Sequence, residues 1–241
     1  MALVFCGTCL APCLWLGVPR SSVLSWEELG SIQVLAGPDE AWVFVQVDRV
    51  VVLQDPLASA PRRTIGHRQA VAVIERDGDT RVIPVARPNG VTFGSYLTRA
   101  FRDQGRVCLL EDESLGQRRS VFVWEVDRFR LLPLDESEAL LSATGLDALG
   151  PSDLWAAVDA RTAANGWSFL PHDLGDFTWS GARYRVSRRP QETFTEVVLR
   201  RLDTPDRDPT VLGRFDPRRV ELSSDEAHAR WGGPDQRGHR R

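Results

Sequence analysis

Residues 69–101, QAVAVIERDGDTRVIPVARPNGVTFGSYLTRAF, decide how this chain is read. Gln69 to Glu75 is a run of β-branched and apolar residues, Arg76-Asp77-Gly78-Asp79 is a turn, and Thr80 to Ala86 is a second such run. Asp-Gly between two strand-like runs predicts a β-hairpin, because the tight turn needs positive φ and glycine supplies it without steric cost. After the loop Arg87-Pro88-Asn89-Gly90, the residues Phe93, Tyr96, Leu97, Ala100 and Phe101 recur at spacings of three and four. That spacing predicts a short helix ending at Phe101, with Thr92 as its N-cap, laid on the sheet.

Upstream, Trp26-Glu27-Glu28-Leu29 reads as a helical turn, followed by the strand SIQVLAG. AWVFVQVDRVVVLQD is the most β-prone stretch and divides into Trp42 to Val47 and Val50 to Gln54, with Asp48-Arg49 as the turn. Pro56 to Arg68 reads as a basic loop carrying Arg62, Arg63, His67 and Arg68. Downstream, RVCLLED is a strand, and SVFVWEVDRFR alternates as a strand near a sheet edge does. The texture then changes. Asp135-Glu136-Ser137-Glu138 caps a helix through Leu141, and Ser152 or Asp153 starts a second that Asn165-Gly166 stops. TFTEVVLRRL fits either a strand or a helix. These elements predict an α+β fold with a boundary near Pro133: a domain over 1–133, a smaller α+β region over 134–222, and a flexible polar tail over 223–241.

Composition narrows the functional classes. With 42% apolar and 26% charged residues in 241, the chain has enough material for substantial cores. A formal charge of −3 argues against a generally nucleic-acid-binding or membrane-adhering surface. All thirty basic residues are arginine, which removes Schiff-base chemistry and a P-loop lysine. No apolar run reaches the roughly eighteen residues of a membrane span. Met1 to Val18 lacks the basic start of a secretory signal, so the expected location is cytoplasmic.

Four clusters invite chemistry. Cys6, Cys9 and Cys13 have C-x2-C-x3-C spacing, which suits a metal or cluster site but sits in the apolar run LVFCGTCLAPCLWLG, where cysteine behaves as a small hydrophobe. Core packing is the preferred reading, with no metal and no cofactor. His172-Asp173 with Asp176 resembles a metal or acid–base cluster, though the same letters are ordinary loop residues. Arg183-Tyr184-Arg185 with Arg188-Arg189 interleaves guanidinium groups with an aromatic ring that suits stacking on a base. Arg62, Arg63 and Arg68 form a second basic group. Both arginine groups are candidate partner-binding residues, and a protein partner is preferred over nucleic acid. The GxSxG, HExxH, P-loop, GxGxxG and paired CxxC patterns are all missing from the sequence, so no catalytic residues are assigned.

Cys9, Cys13, Leu16 and Gly17, together with the strand, acidic-Gly turn, strand and phenylalanine-bearing segment from Ala70 to Phe101, resemble the betaherpesvirus tegument family named after the unique-short twenty-two gene. That family belongs to the SUKH superfamily of α+β interaction modules, and the resemblance runs from Leu3 to Leu132. It implies a SUKH-like mixed sheet with flanking helices and a non-enzymatic factor that binds and antagonises a host defence protein. Ile83 and Pro84 stand where the tegument family carries tyrosine. This departure keeps bacterial SUKH immunity proteins, which neutralise toxins, as the alternative; a cysteine-ligated metal protein comes third.

Overall fold

The computed structural model describes residues 22–54, 62–86, 96–113, 119–125, 128–172, 175–223 and 226; the side chains of 53–54, 62–68, 86, 96–98, 113 and 151–152 are not part of that description. In chain order the elements are β1 (Ser22–Ala36), β2 (Glu40–Gln54), β3 (Arg62–Glu75), β4 (Thr80–Ile83), β5 (Val85–Ala86), β6 (Tyr96–Asp103), β7 (Arg106–Glu113), β8 (Arg119–Glu125) and β9 (Arg128–Leu131). Helices α1 (Leu134–Thr144) and α2 (Pro151–Ala164) follow. The chain ends in β10 (Ser168–Phe169), β11 (Asp176–Trp179), β12 (Ala182–Pro190), β13 (Thr195–Arg201), β14 (Thr210–Phe215) and β15 (Val220–Ser223). The architecture is α+β, with mostly antiparallel sheets and two helices.

The chain divides into two compact units, one of Trp26–Val50 and Arg63–Arg218, the other of Met1–Ser25, Val51–Arg62 and Arg219–Arg241. In the smaller unit, Ser22 to Ser25 pair antiparallel with Val220 to Ser223, and Glu226 accepts from the backbone N–H and the hydroxyl of Ser223.

The larger unit is built in layers. Strands run β10-β1-β2-β3-β4 in the first sheet, β5-β9-β8-β7-β6 in the second and β11-β12-β13-β14 in the third. Ala41, Val43, Val45, Ala72 and Ile74 of the first sheet share a core with Phe177, Tyr184, Val186, Val197 and Leu199 of the third. Their alternating neighbours Trp42, Phe44, Val71 and Val73 share another with Ala100, Leu109, Phe122 and Phe129 of the second sheet. The first sheet is therefore covered on both faces. This explains why Ala41 to Val45 are apolar without alternation and none is more than 2% exposed. The second sheet is covered twice as well, since Phe101, Cys108, Leu110, Val121 and Val123 face Leu141, Leu154 and Val158 of the helices. These cores draw on residues from both sides of Pro133.

The hairpin at Asp77-Gly78 forms as expected: Ile74 faces Thr80, Val71 faces Ile83, Gly78 has φ 91°, and Glu75 N–H donates to the Asp79 carbonyl at 2.8 Å. Helix α2 ends where Asn165-Gly166 predicts, with Gly166 at φ 76°. Helix α1 starts at Leu134 without a side-chain cap; Asp135 and Glu136 sit in its first turn, and Ser137 is buried.

Five expectations are corrected. The helix ending at Phe101 is instead strand β6 from Tyr96 onward, while Phe93 lies outside the described residues. Ala100 faces the first sheet and Phe101 the helices, so a strand buried on both sides mimics helical spacing. It turns at Gln104 (φ 45°) and Gly105 (φ 80°) straight into β7, as a two-residue hairpin does. Trp26 to Leu29 belong to β1 rather than a helical turn, and Trp26 Nε1 donates to Glu28 Oε2 at 2.9 Å, two residues on along the strand. Strand β2 runs through Asp48-Arg49 without turning, because Arg49 bonds Glu27 at 2.8 Å and a Cβ on Gly30 would lie 2.4 Å from the Asp48 carboxylate. Arg62 to Arg68 are strand, not loop. SVFVWEVDRFR, read as one strand at or near a sheet edge, forms two: β8 is the middle strand of its sheet and β9 lies next to the edge strand β5.

Candidate functional site

Strands β11 and β12 are joined by a tight turn at Ser180 (φ 49°) and Gly181 (φ 77°) that fixes their register, Asp176 opposite Arg185 and Thr178 opposite Arg183. Period-two alternation then sorts the side chains. Phe177, Trp179, Ala182, Tyr184 and Val186 turn into the core, and Arg183 and Arg185 turn outward. Pairing of β12 with β13 places Arg200 opposite Arg185 and Glu196 opposite Arg189, and β14 adds Arg214 opposite Glu196. One outer sheet face thus carries Arg183, Arg185, Arg189, Arg200 and Arg214.

Two carboxylates organise these arginines. Asp176 takes a bidentate pair from Arg185, Nε to Oδ1 at 2.5 Å and Nη2 to Oδ2 at 2.6 Å. That bond holds the Asp176 carboxyl below its usual range. Glu196, only 5% exposed, accepts from Arg189 Nε at 2.8 Å and Nη2 at 2.6 Å, from Gln191 at 3.3 Å and from Arg214 Nε at 3.2 Å. The Arg189 bond is the main reason its carboxyl is also lowered. Arg214 lies 4.8 Å over the Phe194 ring. Arg183 and Arg200 have no side-chain partner among the described residues. The two carboxylates hold Arg185, Arg189 and Arg214 in place, and the Asp203 carboxylate lies beside Arg183, accepting from its backbone N–H at 2.9 Å.

The remaining candidates are not brought to this face. Tyr184 is 2% exposed and stacks on Phe177 at 5.4 Å, which leaves its ring no surface for a base. Arg188 is exposed opposite Val197 at the end of the strand, without a partner among the described residues. Arg62, Arg63 and Arg68 lie on β3, and their side chains are outside the described set. His172 Nε2 is 2.9 Å from the Ile32 carbonyl, Asp176 belongs to Arg185, and Asp173 is not described. No three His, Cys, Asp or Glu side chains among the described residues converge as a metal site does. Cys6, Cys9 and Cys13 lie outside the described residues. Among the described residues no helix is long and apolar enough to cross a membrane, a statement that does not extend to β-barrel spans.

Comparison with protein-family models, curated proteins and solved structures finds no match. The reading of this chain therefore rests on its own residues. Glu196, Arg200 and Arg214 are not singled out in the sequence, and Asp176 is read there as part of a metal or acid–base cluster rather than as the partner of Arg185. The signal was present as the period-two outer positions of TEVVLRR and TVLGRF, but it becomes legible only once strand register is known.

Two predictions arise here. Arg189→Glu sets a second carboxylate against buried Glu196 and is expected to lower Tm by several degrees in thermal unfolding. Arg183→Gln removes no side-chain hydrogen bond or ion pair among the described residues and is expected to leave Tm nearly unchanged. The second prediction concerns Cys108, which is fully buried in the helix-facing core; burial pushes its thiol from 9.0 up to about 12. The folded form keeps the proton that the unfolded chain loses, so stability is intact below pH 9 and falls as pH rises toward 12. The loss is about 2 kcal/mol at pH 10.5 on the linkage relation. Tyr184, raised by burial, adds to it in the same direction. Urea unfolding at pH 7 and 10.5 should show this decline, and Cys108→Val should reduce it.

Proposed function

We infer that this chain is a non-enzymatic interaction protein whose partner is another protein with an acidic surface. The supporting observation is the outer face of the β11–β14 sheet, where Arg183 and Arg200 stand unbonded beside arginines that Asp176 and Glu196 lock in place. Arg185, Arg189 and Arg214 are prepositioned and lose little rotamer entropy on docking. Arg183 and Arg200 supply charge not taken up by an ion pair among the described residues, and a face with an excess of one sign steers and selects a partner of the other. A protein is favoured over nucleic acid because Tyr184, the one aromatic ring in the arginine run, is sequestered, and single-strand recognition relies on exposed stacking rings. The tegument-type reading supplies the form this takes: a factor that binds and antagonises a host defence protein, with toxin neutralisation as the immunity-protein form of the same activity.

The test is affinity capture with the full chain as bait, followed by identification of the protein retained at near-stoichiometric amounts. A host kinase or death effector supports the first form and a nuclease toxin the second. Retention of RNA alone, released by ribonuclease, would overturn the reading.

A further inference from the structure

A concave surface of the larger unit lies away from the arginine face in sequence and is opposite to it in charge. It is a shallow, open hollow of about 740 Å³ between the β1–β2 turn, the β3–β4 turn, the end of β6 and Trp167. Asp39, Glu40, Glu75 and Asp77 contribute four carboxylates to it, and Arg76 is engaged with Asp39 at 3.2 Å in an exposed pair. Arg102 lies against the indole of Trp167, its guanidinium carbon 4.1 Å from the ring centroid. Burial pushes the Arg102 pKa down and nearby Glu40 draws it back up. Neither the Arg102 guanidinium nor the Trp167 indole N–H donates a hydrogen bond to another described residue, and both groups line the hollow. Gly37 is required for this arrangement, since a Cβ there would fall 2.4 Å from the indole.

The two groups of residues make opposite demands. Arg102 and Trp167 offer hydrogen-bond donors that no described residue takes up, while four carboxylates exceed the two arginines, Arg76 and Arg102, that line the same hollow. A metal ion answers only the second demand, and the carboxylates do not converge on one point. An extended basic peptide answers both, with backbone carbonyls accepting from Arg102 and Trp167 and arginine or lysine side chains reaching the carboxylates. We propose that this concavity binds a basic, extended peptide segment of a partner protein, with Arg102 and Trp167 as backbone-reading donors and Glu40 and Glu75 as side-chain selectors. The inference goes beyond the interaction reading and does not depend on the arginine face.

Fluorescence anisotropy with a labelled peptide of alternating arginine and glycine tests it on the purified chain, with an alternating glutamate and glycine peptide and spermine as comparisons. The basic peptide is expected to bind, the acidic one not, and Glu40→Gln/Glu75→Gln to bind about tenfold more weakly. Arg102→Leu discriminates most sharply. Removing a positive charge from a merely acidic patch tightens binding of a cation, whereas removing a backbone-reading donor weakens it. The expected result is weaker peptide binding by Arg102→Leu with spermine binding unchanged or tighter, and Trp167→Phe weakens the peptide in the same direction. Equal or tighter peptide binding by Arg102→Leu, or no binding by the wild type, overturns the proposal. Either outcome leaves the arginine-face capture experiment unaffected.

Discussion

Replacing Phe101 by alanine is expected to destabilise the chain by about 3–5 kcal/mol, the usual cost of deleting a buried aromatic ring. Phe101 is fully buried on β6, with Cys108, Leu110, Val121 and Val123 of the same sheet around it and Leu154 and Val158 of α2 in the same cluster. Helix α2 is further tied to β6 by Arg161, which bonds the 2%-exposed Asp103 at 2.9 Å, and by Asp159, which bonds Arg99 at 2.8 Å. These polar ties leave little room for the helix to move inward and fill a cavity at Phe101. Equilibrium urea unfolding measures the loss directly. A change below about 1 kcal/mol would mean that the helices do not close on this sheet as described.

Trp42→Ala should cost as much or more, about 4–5 kcal/mol, because Trp42 is the centre of an aromatic cluster. Its ring lies 5.3 Å from Trp124 and 5.7 Å from Phe129, both edge-on, and 6.2 Å from Phe44 in a stacked arrangement. The indole N–H is buried without an acceptor among the described residues. Trp42→Phe therefore removes an unsatisfied donor along with some apolar contact, and the two effects offset to a net cost under about 1.5 kcal/mol. The ratio of the two variants is the informative quantity. Equal losses for alanine and phenylalanine would show that the N–H has a partner whose loss matters.

The sequence is legible where local chemistry fixes the backbone. Asp77-Gly78 selects its turn whatever packs around it, and Asn165-Gly166 stops α2 for the same kind of reason. Legibility fails where tertiary burial overrides periodicity. Strand β6 carries apolar residues toward two cores at once, so its spacing imitates a helix, and β2 passes through Asp48-Arg49 because β1 supplies their partners. The arginine face was half visible. Arg183 and Arg185 could be placed together from alternation alone, but their grouping with Arg200 and Arg214 depends on strand pairing across more than ten residues of sequence. Tyr184 shows the opposite error: adjacency to arginines suggested a recognition ring, while the same alternation buries it.

The central claim is that an acidic protein docks on the outer arginine face, and its most direct test is the affinity of the captured, purified partner for wild type and for Arg183→Gln/Arg200→Gln. These two arginines hold no ion pair among the described residues, so the double variant should keep the wild-type Tm. The expected result is about a tenfold or greater loss of affinity in the variant, with wild-type binding that weakens as salt is raised. Undiminished binding by the double variant at unchanged stability would contradict the account.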